Sequence, residues 1–128
     1  MSEHYKPEGY PSVAVYMMAD GAQRVIDFLR ETFGAEELRR SERADGSIMH
    51  VEVRIDDTIV MLADSGGQFP AFPVWLHVYV PDVDATYEKA LAAGGVSVQE
   101  PAQRGDPDRR GGVKDPAGNT CWIATQVG

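Results

Sequence analysis

Residues 12–35, SVAVYMMADGAQRVIDFLRETFGA, decide the fold of this chain. The stretch begins with alternating apolar residues, which is typical of a strand, and continues with apolar residues at helical spacing up to a glycine. A second stretch of the same kind, VWLHVYVPDVDATYEKALAAGG, occupies residues 74–95. The spacing predicts helices over about 21–33 and 83–93, each ended by a glycine.

Each predicted helix has an aspartate placed to cap its first turn, Asp20 in the first helix and Asp82 in the second. The apolar residues of each helix recur every three or four positions, so they share one face that we expect to be buried. In the first helix this face carries Ala22, Val25, Ile26, Leu29 and Phe33, and in the second it carries Ala85, Ala90 and Leu91.

Strand patterns complete two modules of strand, helix and three strands. Strands are predicted at 12–18, 36–42, 48–55, 58–63, 74–80, 96–99, 112–114 and 120–125. We therefore predict an α+β fold in one domain, 1–128, with βαβββ modules at about 11–64 and 74–126 and a linker at 65–73. Residues 1–10 read as a polar arm. Residues 101–110 read as a loop whose arginines are solvated.

The composition argues against two classes of partner. The chain has 12 Lys and Arg against 20 Asp and Glu, a formal net charge of −8. Nucleic-acid binding depends on Lys and Arg neutralising phosphates, so we expect no nucleic-acid partner. No segment reaches the roughly 20 apolar residues of a membrane helix, so we expect no membrane partner.

Cys121 is the single cysteine, which excludes an internal disulfide and predicts an inert, helix-facing thiol in a cytoplasmic protein.

Strand alternation places an unusual set of side chains opposite the helices. A solvated sheet face carries Lys, Thr and Glu, whereas this face gathers tryptophan, tyrosine and histidine. A mixed aromatic and polar surface is typical of a concave site for a small-molecule ligand, and a dimer interface is the alternative. The predicted ligand-binding residues are Tyr16, His50, Glu52, Met61, Trp75, His77, Tyr79 and Trp122.

Short motifs follow one another between residues 8 and 126. They are AQRVIDFL (22–29) with FGA (33–35), DGSIMHVE (45–52), HVYV (77–80) with DVDA (82–85), and DPAGN (115–119). In this order they resemble the vicinal oxygen chelate superfamily, which contains glyoxalases, bleomycin resistance proteins and extradiol dioxygenases. Within it, the chain is most similar to the PhnB-like branch.

The resemblance implies a cupped, mostly antiparallel sheet with the helices on its outer face, and usually a homodimer. It also implies that metal-dependent members bind a divalent ion through four side chains from four strands. The matching positions here are Ala14, Met61, Trp75 and Trp122. None is His, Glu or Gln, and methyl, indole and thioether groups are poor ligands for hard ions, so we expect no metal cofactor. Asn119, which replaces a histidine of the branch, is expected at the pocket rim.

His50 and Glu52 project from one face of a strand and allow three interpretations. With His77 they form a nonstandard site for a divalent metal ion, made of two imidazoles and one carboxylate. Alternatively they bond to each other or to Arg54 as a polar cluster, which we favour because two histidines on different strands rarely bind metal without a motif. In the third interpretation an aromatic pocket raises the pKa of Glu52, which acts as a general base. The candidate catalytic residues are therefore Glu52, His50 and His77.

We expect a metal-independent binding protein that sequesters a planar or partly apolar small molecule, with Trp75 and Trp122 stacked against it. The alternative is a metal-dependent lyase or dioxygenase of the same superfamily that uses the two histidines and the glutamate. A third hypothesis is a structural dimer without a ligand. Exposed Phe69 and Phe72 are expected to contribute to a dimer interface.

Overall fold

A computed structural model describes residues 5–128 as eight strands and two helices. The order of strand, helix and three strands occurs twice, so the predicted α+β fold of two βαβββ modules is confirmed. Neither described helix is long and apolar enough to cross a membrane. The elements are β1 (Val15–Ala19), α1 (Ala22–Phe33), β2 (Glu36–Glu42), β3 (Ile48–Ile55), β4 (Thr58–Asp64), β5 (Trp75–Tyr79), α2 (Val83–Ala92), β6 (Val96–Gln103), β7 (Asp108–Lys114) and β8 (Thr120–Gln126).

Hydrogen bonding divides the strands into two four-stranded sheets, with the orders β1-β4-β3-β2 and β5-β8-β7-β6. The pairs β1/β4 and β5/β8 are parallel and the other described pairs are antiparallel. α1 packs on the first sheet, α2 packs on the second, and the helices contact each other. Buried apolar residues of both modules form one core between the helices and the sheets. The other face of each sheet points away from this core.

The start of α1 is capped by a residue distant in sequence. The prediction that Asp20 caps this helix was wrong, because the residue before the helix is Gly21, with φ 86°, and no side chain at that position bonds to the first turn. Instead, Asp64 at the end of β4 accepts a hydrogen bond from the backbone N–H of Ala22 at 2.8 Å. A side-chain acceptor stabilises a helix start wherever it comes from. The local sequence therefore does not reveal this cap.

The start of α2 is capped by Asp82 as predicted, since its carboxylate accepts a hydrogen bond from the N–H of Ala85 at 3.2 Å. The prediction of a buried Ala85 was wrong. The helix instead buries the larger ring of Tyr87, whose hydroxyl lies 2.5 Å from the hydroxyl of Ser97 on β6. The buried residues of α2 are Val83, Thr86, Tyr87 and Ala90.

The strands β6 and β7 are longer than the sequence indicated. The loop predicted over 101–110 is short, because β6 continues to Gln103 and β7 begins at Asp108. Pro101 lies inside β6, where the register with β7 shifts between Gln99 and Ala102. A bulge on an edge strand tolerates proline because its missing N–H removes no ladder bond there.

Phe28 connects the two modules. It lies on α1 and is 1% exposed, although the predicted apolar face did not include it. A methyl group added to Gly95, beyond the end of α2, would lie 3.0 Å from the Phe28 ring. The ring thus faces the second module, whereas the predicted face packs on the first sheet. Both sides of α1 are buried because it contacts a sheet and a second helix.

Cys121 is a buried thiol behind the second sheet, 1% exposed and within the apolar core. Burial, with a smaller contribution from the charge of Asp115, raises the pKa of the Cys121 thiol to about 12. Since the thiolate is the reactive form, we expect DTNB at pH 8 to leave the folded protein unlabelled and to label one thiol per chain in urea. Rapid labelling of the folded protein would contradict this burial.

Candidate functional site

The eight predicted site residues lie on the sheet faces that point away from the core. In the first sheet, Tyr16 pairs with Met61, and Met61 pairs with Glu52, so three strands place these side chains in one row. In the second sheet, His77 pairs with Trp122. Directly opposed residues project to the same side of a sheet. We name the two groups the first half-site (Tyr16, His50, Glu52, Met61) and the second half-site (Trp75, His77, Tyr79, Trp122).

The two half-sites are separate within one chain. Among residues 5–128, each side-chain hydrogen bond and aromatic contact of these residues stays within its own sheet and the segments next to it. The sequence predicted which side chains share a face, and the structure places these faces on two different sheets.

A chain of hydrogen bonds crosses the first half-site. His50 Nε2 lies 2.7 Å from Glu52 Oε2, and His50 Nδ1 lies 2.9 Å from the hydroxyl of Tyr16. The hydroxyl of Tyr10, in the segment before β1, donates to Glu52 Oε1 at 2.5 Å. A carboxylate only accepts, so His50 Nε2 donates to Glu52. Each of these four polar side chains therefore has a hydrogen-bond partner.

Glu52 is held as a carboxylate although it is only 4% exposed. Burial by itself raises the pKa of Glu52, but hydrogen bonds from Tyr10 and His50, together with the charge of Arg39, bring it below its usual value. The Arg39 guanidinium lies 3.7 Å from Glu52 Oε1. The lowered pKa of Glu52 is the opposite of the raised pKa expected for a general base in an aromatic pocket. Conversely, the hydrogen bond to Glu52 raises the pKa of Tyr10.

Tyr10 is a site residue that the sequence pattern does not reveal. Its segment reads as a polar arm, and nothing in the local pattern indicates which surface the arm contacts. The Arg39 guanidinium lies 5.4 Å from the centre of the Tyr10 ring, within the range of a cation–π contact. Arg54, expected as a partner of Glu52, instead donates to the carbonyl of Gly9 at 3.3 Å.

Two indoles form the apolar part of the second half-site. The rings of Trp75 and Trp122 meet edge to face, with centroids 5.3 Å apart. Trp122 lies over its cross-strand partner Gly112, where an added methyl group would come 2.6 Å from the ring. Trp75 is 72% exposed, so the pair is open to solvent on one side. The buried Nε1 of Trp122 has no hydrogen-bond partner within residues 5–128.

Arg110 organises the polar part of the second half-site. Its Nε donates to His77 Nε2 at 3.0 Å, and its two terminal nitrogens donate to Asp106 at 3.0 Å and to Asp108 at 2.8 Å. The hydroxyl of Tyr79 also donates to Asp108, at 2.7 Å. The expectation that this arginine is solvated in a loop was wrong, because β7 carries it onto the sheet face. The bond from Arg110 occupies the Nε2 lone pair of His77.

The metal hypothesis needs His50, Glu52 and His77 to converge, and within one chain they do not. His50 and Glu52 are hydrogen-bonded to each other in the first half-site, whereas His77 lies in the second half-site on the other sheet. Over the described part of the chain, no three His, Cys, Asp or Glu side chains are grouped so that they could hold an ion.

Asn119 does not lie at the rim of either half-site, so that prediction was wrong. It is 3% exposed, in the turn between β7 and β8. Its Oδ1 accepts from the backbone N–H of Val74 at 2.9 Å, and its Nδ2 donates to Asp115 at 3.0 Å. This amide joins the turn to the start of β5, which is a structural role.

Comparison with known proteins identifies relatives over most of the chain. The model of the glyoxalase/bleomycin resistance protein/dioxygenase superfamily matches residues 12–123. An uncharacterized protein of Mycobacterium bovis is 35% identical, over an alignment that covers 91% of this chain and 84% of that protein.

Solved structures share the fold. TioX from Micromonospora sp. ML1 has a TM-score of 0.72 and 25% identity, with 90% of this chain and 95% of that chain covered. TnmS3, described as an antibiotic binding protein from Streptomyces sp. CB03234, has a TM-score of 0.69 and 21% identity, with 91% of this chain and 99% of that chain covered. At this identity, the likeness to TnmS3 establishes a common architecture.

Proposed function

The chain belongs to the glyoxalase/bleomycin resistance protein/dioxygenase superfamily, and we propose that it is a metal-independent binding protein for a planar, partly apolar small molecule. The observation that carries this proposal is the open edge-to-face pair of Trp75 and Trp122, at two positions that the family resemblance assigns to metal ligands. Exposed indoles stack on planar molecules, while indole nitrogens bind metal poorly.

The fold of TnmS3 supports sequestration as the mode of action, since that protein is described as antibiotic-binding. A sequestering protein needs a complementary surface and no reactive group. Glu52 in the first half-site and Arg110 beside the second are already paired with neighbouring side chains, which favours holding a molecule over transforming it. We place the chain in the PhnB-like branch on its sequence motifs, and in the cytoplasm on its single reduced cysteine.

Replacement of Trp75 by Ala tests the binding proposal. We expect 9-aminoacridine and anthraquinone-2-sulfonate, planar probes of opposite charge, to quench the tryptophan fluorescence of the native protein saturably. In Trp75→Ala, the affinity of the better probe, measured by calorimetry, should fall about tenfold, because one stacking partner is lost. Tyr5→Ala is the matched control, since Tyr5 is similarly exposed at 70% but lies outside both half-sites.

Two outcomes would contradict the proposal. One equivalent of tightly bound nickel, zinc or iron per chain, lost in His77→Ala or Glu52→Gln, would instead support a metal-dependent lyase or dioxygenase with a nonstandard site. A stable dimer that binds neither probe would support a structural role. Elemental analysis of protein purified without chelator distinguishes the first outcome from the second.

We further propose that the protein is a homodimer. Trp75 and Tyr79 are 72% and 63% exposed, and the linker residues Phe69 and Phe72 are more than half exposed. Aromatic surface of this extent is commonly covered by a partner. A second copy can place its first half-site over the second half-site of its partner and so enclose a ligand between them.

Light scattering coupled to size-exclusion chromatography tests the dimer. At micromolar concentration we expect a species with twice the chain mass, and Trp75→Glu should shift it towards the mass of one chain, because the substitution places a charge in the interface. A wild-type species with the mass of a single chain would contradict the dimer.

A further inference from the structure

The segment before β1 contacts the first half-site through Tyr10. A turn, in which Tyr10 N–H donates to the carbonyl of Pro7 at 3.2 Å, directs the Tyr10 side chain towards the sheet. Arg54 donates to the carbonyl of Gly9 and holds the turn against β3. Tyr10 does not belong to the buried apolar core. Its described side-chain contacts are with Glu52 and Arg39, both charged residues on the site face.

The contacts of Tyr10 are those that a binding site makes with an aromatic hydroxyl group. The hydroxyl donates to a buried carboxylate, and hydrogen bonds to charged acceptors are about twice as strong as neutral ones. The ring lies beside the Arg39 guanidinium, which contributes a cation–π attraction. Without Tyr10, one oxygen of Glu52 would lose its short hydrogen bond, and a buried acceptor left without a partner is costly.

From this geometry we infer that Tyr10 is an intramolecular stand-in for the ligand, and that the first half-site takes a molecule with an aromatic hydroxyl group in its place. This inference rests on the proposed binding function and specifies its ligand class. A hydroxyaryl ligand places its ring beside Arg39 and donates a hydrogen bond from its hydroxyl group to Glu52. The arm then leaves the sheet face, which breaks the contacts of Tyr10 with Glu52 and Arg39 and the hydrogen bond from Arg54 to Gly9.

The arm weakens binding to the first half-site by competition. A tethered group is present at an effective concentration on the order of millimolar, and a ligand must displace it before it binds. The apparent affinity is therefore the intrinsic affinity multiplied by the fraction of molecules in which the site is free. Removal of the Tyr10 side chain is expected to tighten hydroxyaryl binding at least tenfold.

The test is the binding of p-cresol, which reproduces the tyrosine side chain, to Tyr10→Ala in the full chain. We expect saturable binding, at least tenfold tighter than to the wild type, with the largest NMR shift changes at His50 and Glu52. Toluene, which lacks the hydroxyl, should not bind measurably. Tyr5→Ala, a tyrosine of the same arm with no described contact to the first half-site, should bind p-cresol as the wild type does.

The inference is overturned if folded Tyr10→Ala binds p-cresol no tighter than the wild type, or binds toluene equally well. If Tyr10→Ala does not fold, Tyr10→Phe replaces it. That variant keeps the ring and loses the hydroxyl, so p-cresol should still bind several-fold tighter than to the wild type, and an unchanged affinity overturns the inference.

The same protein preparations separate this inference from the proposed function. Quenching of Trp75 and Trp122 by 9-aminoacridine reports on the second half-site, which Tyr10 does not contact. Normal quenching without p-cresol binding to Tyr10→Ala rejects the stand-in role alone. Binding of p-cresol to that variant without quenching by either planar probe rejects the planar-ligand function alone.

Discussion

Phe28→Ala is expected to lower the free energy of unfolding by about 3–5 kcal/mol. The Phe28 ring is 1% exposed and sits between α1 and the second module, next to Gly95. Truncation removes the apolar contacts of the ring and leaves a cavity that both modules border, and the surrounding backbone can close it only partly. Since small domains are stable by about 5–15 kcal/mol, this one change should remove a substantial fraction of the stability. Urea titration followed by circular dichroism measures the loss.

Phe33→Ala is the matched control, because it makes the same chemical change at a half-buried position of the same helix. We expect a smaller loss, since less of that ring leaves water on folding. Both variants should be compared at one protein concentration, because a dimer gains stability with concentration. Equal losses for the two variants would contradict the role of Phe28 in joining the modules.

Gly112→Val is expected to displace the Trp122 indole and to weaken planar-probe binding strongly while the protein stays folded. A Cβ atom at position 112 would lie 2.6 Å and 2.8 Å from two atoms of the six-membered ring, closer than carbon atoms approach. The indole must therefore leave the sheet surface, which breaks its edge-to-face contact with Trp75. Overpacking of this kind costs about 1–3 kcal/mol, so the fold should persist. The affinity for 9-aminoacridine should fall more than tenfold.

Near-ultraviolet circular dichroism reports the displacement directly, because the signal of two adjacent indoles depends on their mutual orientation. Lys114→Val is the control, since it introduces the same side chain at an exposed position two residues further along β7, on the same face. We expect no change in that variant. An unchanged spectrum and unchanged probe affinity in Gly112→Val would show that the indole is not seated on Gly112 in solution.

The secondary structure could be predicted closely where one local pattern decided it. Both helices end within one residue of their predicted bounds, and β2 and β3 occupy the predicted residues. Helical spacing and strand alternation depend on neighbours within a few residues, so the sequence carries them directly. The predictions failed for the loop over 101–110, because pairing with β7 extends β6 through Pro101.

The candidate site could be predicted only where strand alternation decided it. Alternation identified Tyr16, Glu52 and the two tryptophans as residues of a shared surface. It did not identify Tyr10, which reaches Glu52 from 42 positions away, nor the role of Arg110 beside His77. These contacts join segments whose separation in space depends on how the whole chain packs.

The sequence by itself determined the element order and the face on which each strand residue lies. Only the tertiary structure decided that these faces form two half-sites, that Asp64 caps α1, and that the pKa of Glu52 is lowered. The physical reason is the separation along the sequence of the residues that decide each feature. Periodicity is a property of adjacent residues, whereas a hydrogen bond, an ion pair or a pKa depends on distances of a few ångströms between groups that the chain brings together only when it folds.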